Sequence, residues 1–153
     1  MLVFLINLDP KQSLAFLISI VDFLNSDKHS RDALVLARME AAHYQLATGD
    51  SVACKATIDE CKVIIDTELS GVDSTINACF YRVSADYYKA KAAYPQYYEN
   101  ALLFLKSVNQ SSLPIKEQVE RAHDLALSAL MGEGLYNFGE LVIIYNLVVE
   151  SYS

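Results

Sequence analysis

The stretch Ala33-Leu-Val-Leu-Ala-Arg-Met-Glu-Ala-Ala-His-Tyr-Gln-Leu-Ala-Thr-Gly-Asp50 decides the fold. Leu34, Ala37, Ala41 and Tyr44 recur at helical spacing, and Val35, Met39, Ala42 and Leu46 form a second stripe beside them. One helix with two apolar stripes is expected to pack on two sides. Gly49 then stops it, because glycine accepts the left-handed conformation that ends helices. Asp50 is placed to cap a further helix at once. A helix packed on both flanks and followed immediately by another is the signature of stacked helical hairpins.

Working outward, the same punctuation repeats. Asp9-Pro10 reads as a helix start, and Leu14, Leu17, Ile18, Val21 and Leu24 follow at helical spacing. Asn25-Ser26-Asp27 breaks that run, and Ser30 reads as the next cap. Cys54, Ile58, Cys61 and Ile65 share one face of a third helix. After the turn Leu69-Ser70-Gly71, Asp73 or Ser74 opens a fourth, with Tyr81, Ala85, Tyr88 and Ala92 on one face. Tyr94-Pro95 is a boundary, since the residue before proline avoids the α region. A fifth helix carries Tyr97, Ala101, Phe104 and Val108. Pro114 opens a sixth with Val119, Ala122, Ala126 and Ala129, ended by Gly132 and Gly134. Asn137 caps a seventh from Phe138 to about Val149.

Helix pairs therefore begin near residues 10, 50 and 95, a spacing within the range of helical-hairpin arrays. The expected class is all-α: an α-solenoid of helix-turn-helix units resembling tetratricopeptide repeats, with about seven helices. A compact bundle uses the same periodicities and is the alternative. An array needs polar capping faces at its ends. The first eight residues and Val142-Ile-Ile-Tyr-Asn-Leu-Val-Val149 are nearly all apolar instead. The chain is thus expected to be a section of a larger protein, or to need partners at its ends and to self-associate without them.

Composition narrows the function. The chain has 153 residues, of which 53% are apolar and 20% charged, with five glycines and three prolines. That excludes disorder and leaves enough apolar side chains for a core. A net charge of −7 with no basic cluster disfavours nucleic acid and anionic membrane surfaces. Residues 1–8 lack a basic flank and a cleavage site, and Asp9, Lys11 and Asp22 interrupt any longer span. Three cysteines in no framework spacing read as reduced thiols of a cytosolic or nuclear protein.

Constellations for chemistry are weak. Cys54 and Cys61 would need two more ligands from His29, His43, His123 or Cys79 to bind zinc, and no closely spaced ligand pair exists. They alternate with Ile58 and Ile65 and read as small core residues. His43 and His123 sit beside apolar stripes as packed or surface-edge side chains, and His29 lies in a polar turn. Asp59/Glu60 and Asp66/Glu68 read as solvated surface. Gly132-Glu-Gly134 follows a helix and terminates it; no phosphate-binding glycine loop or nucleophile elbow occurs. No residue is assigned a catalytic, cofactor-binding or metal-ligating role. Phe80-Tyr81, Tyr87-Tyr88, Tyr94 and Tyr97-Tyr98 are the most unusual feature. Tyrosines fill helix junctions, and they also line protein-binding surfaces; packing is the favoured reading.

Several strings carry a resemblance. They are Leu46-Ala-Thr-Gly-Asp50, Thr57-Ile-Asp59, the aromatic pairs, Tyr97-Tyr-Glu-Asn-Ala-Leu-Leu-Phe-Leu105, Leu113-Pro114 and Glu117-Gln-Val-Glu-Arg-Ala122. The most specific is Leu130-Met-Gly-Glu-Gly-Leu-Tyr-Asn-Phe-Gly-Glu-Leu141. From about residue 3 to 141 the sequence resembles the family of the ninth non-ATPase subunit of the 26S proteasome regulatory particle. That resemblance implies a lid subunit with a helical-repeat solenoid and a C-terminal PCI domain. It implies a non-enzymatic scaffold of the cytoplasm and nucleus, partnered by other lid subunits and supporting ubiquitin-dependent protein degradation, without cofactors. The sequence departs from the family after Leu141, so residues 1–141 are read as the solenoid segment and 142–153 as an atypical apolar tail. A stand-alone adaptor binding a peptide in its groove, or a subunit of another PCI assembly such as the signalosome or an initiation-factor complex, are the alternatives.

Overall fold

A computed structural model describes residues 9–27, 30–67, 69, 71, 73–108, 113–131 and 142. Among these residues the chain is all-α, with six helices and no strand. They are α1 (Pro10–Asn25), α2 (Arg31–Ala47), α3 (Ser51–Thr67), α4 (Ser74–Ala90), α5 (Tyr94–Ser107) and α6 (Ile115–Met131). Helices α1, α3 and α5 begin at Pro10, Ser51 and Tyr94, where the sequence places the starts of its three hairpins. The expected seventh helix, with the glycines that precede it, lies outside the described residues. Of the tail, only Val142 is described, and it is exposed.

The chain divides into two compact units, Met1–Val83 and Ser84–Ser153. In the first, α2 packs against both α1 and α3, as its two stripes require. Leu34, Val35, Met39 and Ala42 are shut off from solvent completely, and Ala41 meets Leu17 with Leu14 and Tyr44 around them. Cys54, Ile58, Cys61 and Ile65 of α3 are buried, so the face read from the sequence is the packed one. The Thr57 hydroxyl donates to Gln45 Oε1 at 3.1 Å, a polar tie between α3 and α2.

The link between α2 and α3 shows how local chemistry sets this packing. Gly49 has φ +88°, and the amides of Gly49 and Asp50 donate to Leu46 and Gln45 carbonyls at 3.0 and 2.9 Å. These two bonds close α2 in the glycine-terminated manner. The Asp50 carboxylate then accepts the Ala53 amide at 2.9 Å and caps α3. Replacing Asp50 by alanine orphans that amide and should cost about 1 kcal/mol in urea-unfolding free energy. Asp73 does the same for α4, accepting the Thr75 amide at 3.1 Å.

Two expected caps work differently. Asp9 precedes α1, but its backbone carbonyl, not its carboxylate, accepts the Gln12 and Ser13 amides at 2.9 and 3.0 Å. The Ser30 hydroxyl donates to Asp27 Oδ2 at 2.6 Å and makes no cap bond to α2.

In the second unit, α5 packs on α6. Tyr97, Ala101 and Phe104 of the expected α5 face are buried; Val108 lies just past the helix end and is half-buried. The turn into α5 carries an unusual backbone. Ala92 has φ +52°, and the Ala92 and Ala93 amides donate to Lys89 and Tyr88 carbonyls, both at 3.0 Å. This is the geometry seen at Gly49, adopted here by a residue with a Cβ. A left-handed alanine costs about 1–2 kcal/mol, and glycine loses about 0.5–1 kcal/mol in the unfolded chain. Ala92→Gly is therefore expected to raise stability by about 0.5 kcal/mol, read as a higher urea midpoint at unchanged slope.

Candidate functional site

Two buried or half-buried arginines organise the polar groups, one in each unit. In the first, Arg38 of α2 donates to Glu60 Oε2 at 2.7 Å and to Asn25 Oδ1 at 3.1 Å. One guanidinium thus holds the end of α1, the middle of α2 and the outer side of α3. Glu60 remains largely solvated, so the bond orients the helices more than it stabilises them.

The second unit has a deeper version. Arg121 of α6 donates to Asp86 Oδ1 of α4 at 3.1 Å and pairs with Glu117 at 3.5 Å. Its guanidinium stacks 5.0 Å from the centre of the Phe104 ring on α5. The Arg121 side chain is 10% exposed. Burial opposes its charge, but Asp86, Tyr97 and Glu117 outweigh that and raise its pKa above the ordinary value. Lys89 of α4 bonds to Asp124 of α6 one turn further along. Three helices are tied through one cation, with apolar α5 residues beneath it.

Tyr97 belongs to this cluster. Its ring is 2% exposed and its enclosed hydroxyl makes no hydrogen bond of full geometry. Burial and the nearby Asp124 push its pKa up to about 12, with Asp86 adding to the rise and Arg121 opposing it. Phe80 and Tyr98 are buried as well, while Tyr81, Tyr87, Tyr88 and Tyr94 are half-buried. Phe80 and Tyr81 meet edge to face at 5.4 Å, and so do Tyr87 and Tyr88 at 5.3 Å. Phe80, Tyr97 and Tyr98 are packing material, and Tyr97 lines no open groove; the other four tyrosines sit part-exposed at the margins.

The faces expected on α4 and α6 are rotated. On α4 the buried residues are Ile76, Phe80, Val83, Ser84 and Ala85; of the expected stripe only Ala85 is among them. On α6 the centre of the seam runs through Arg121, Ala122, Leu125 and Ser128, with Val119, Ala126 and Ala129 at its margins. Asp86 and Arg121 lie 35 residues apart and share no motif, so nothing local in the sequence pairs them.

The remaining candidates fall where chemistry is least available. Cys54 and Cys61 are completely buried. Burial, opposed by Arg38, pushes the Cys61 thiol up to about 12; burial with Glu40 pushes Cys79 to about 11. A nucleophilic thiolate needs the opposite shift. His43 is half-buried edge-on to Tyr44 at 5.5 Å, and His123 is exposed 3.8 Å from Asp124. His29 lies outside the described residues. Asp59 and Asp66 are exposed and bonded along α3 to Lys55 and Lys62. Among the described residues no group of three His, Cys, Asp or Glu is placed to hold a metal ion, and no helix is long and apolar enough to cross a membrane.

Among the charged side chains of the exterior are apolar ones. Phe23, Val52 and Leu130 are each about 80% exposed, and Phe16, Val63, Ile115 and Met131 are more than half exposed.

Comparison with known proteins fits this picture of helices organised for packing. A family model described as PSD13 N-terminal repeats matches residues 2–151. The 26S proteasome non-ATPase regulatory subunit 13 homolog B of Arabidopsis thaliana is 32% identical over 136 residues, 88% of this chain and 35% of that protein. The probable 26S proteasome regulatory subunit rpn9 of Schizosaccharomyces pombe is 38% identical over 140 residues, 90% of this chain and 36% of that one. The 26S proteasome regulatory subunit RPN9 of Saccharomyces cerevisiae is 32% identical over 119 residues, 77% of this chain and 30% of that one. The chain spans about a third of the length of these relatives. With the match running almost end to end and the described residues forming six helices, the chain belongs to the PSD13 family and corresponds to its N-terminal repeats.

Proposed function

We propose that the chain is the helical-repeat portion of a non-catalytic lid subunit of the 26S proteasome regulatory particle. It would act as a scaffold in ubiquitin-dependent protein degradation, in the cytoplasm and nucleus. The observation that carries this reading is the family match over residues 2–151, joined by relatives named as regulatory subunits of that particle. Physically, such a chain works by shape. Repeats stack through nearest-neighbour contacts and present outward faces to other subunits, with no reacting centre required. The exposed Phe23, Val52 and Leu130 are the kind of side chains such faces use. A peptide-binding adaptor would line its groove with an exposed Tyr87 or Tyr97; Tyr97 is buried and Tyr87 half-buried, which favours packing.

Within this reading residues 1–141 form the repeat segment and 142–153 an apolar tail that promotes self-association when no partner is present. The 141/142 division rests on the Val142–Val149 string; the family match itself continues to residue 151.

The test is affinity purification of the chromosomally tagged protein at physiological salt, beside a tagged full-length relative. Other non-ATPase subunits should be recovered with it. Recovery of the tagged chain alone, while the relative brings down the particle, would overturn the proposal.

A further inference from the structure

We draw no further inference here: the strongest candidate, the exposed apolar stripe of Leu127, Leu130 and Met131 along the last turns of α6, carries none because nothing in the structure shows what covers it.

Discussion

Replacing Asp86 by alanine is expected to destabilise the second unit by about 3 kcal/mol, several times the cost of replacing Glu117. Both carboxylates reach Arg121, but they are not equivalent. Asp86 comes from another helix and meets the guanidinium at 3.1 Å, whereas Glu117 sits one turn away on α6 itself at 3.5 Å. An i,i+4 pair of that kind contributes about 0.3–0.5 kcal/mol. Loss of Asp86 instead leaves a nearly enclosed cation with one weak partner and the Phe104 ring. The lower end of the range for broken buried pairs applies, because Asp86 is itself 26% exposed. Removing both charges by Asp86→Leu with Arg121→Met should recover most of the loss, since neither side is then left unpaired. Native-state hydrogen exchange of the α6 amides reads the second unit directly, without assuming that the two units unfold together. Equal losses for Asp86→Ala and Glu117→Ala would show that the cluster is surface electrostatics and not a tie between helices.

That cluster also marks where sequence reading stops. The features legible in advance are local. Gly49 with Asp50, and Asp73, each act within one turn, so residue type alone determines what they do; at Pro95 the boundary holds, but Tyr94, expected to stay out of the helix, is its first residue. The double stripe of α2 is legible because both of its flanks are apolar and both are packed. Helix α4 is different. Its tyrosines are amphipathic and sit equally well at a seam or beside one, so periodicity could not fix which side faces inward. The packed residues are Ile76, Phe80, Val83, Ser84 and Ala85, of which the expected stripe includes only Ala85. On α6 a hydropathy reading places Arg121 outside; only Asp86, 35 residues earlier, makes the inner position tolerable. Ala92 shows the same limit at the level of backbone. Glycine announces a left-handed turn and alanine does not, so only the proline beyond it marks this boundary. Ile18, expected on the apolar stripe of α1, is exposed for a related reason: an apolar side chain on a helix reads as core until the neighbour it lacks is known.

The same burial makes the fold sensitive to base, beginning in the first unit. Cys61 ionises at about 9 in an unfolded chain and at about 12 in the folded one, chiefly because burial disfavours the thiolate. The folded state therefore holds the proton more tightly. Its contribution is fully present below pH 9 and is lost as pH rises from 9 towards 12, at 1.36 kcal/mol per unit and about 4 kcal/mol in total. Cys79, raised to about 11, acts in the same direction from the same starting pH. In the second unit Tyr97 has its window between 10 and about 12. Urea-unfolding free energy should thus be flat in these groups from pH 7 to 9 and fall steeply above, with the first unit leading. Cys61→Ala fixes the assignment. It should begin from a lower stability at pH 7, because a buried sulfur is gone, yet lose less between pH 9 and 11, so that the two curves converge. Tyr97→Phe should leave the pH 9–10 region unchanged and flatten only the part above it, in the exchange of α5 and α6 amides. Parallel curves for the native chain and Cys61→Ala across that range would mean that this thiol meets water in the folded protein, and that the α3 core face is not closed as described.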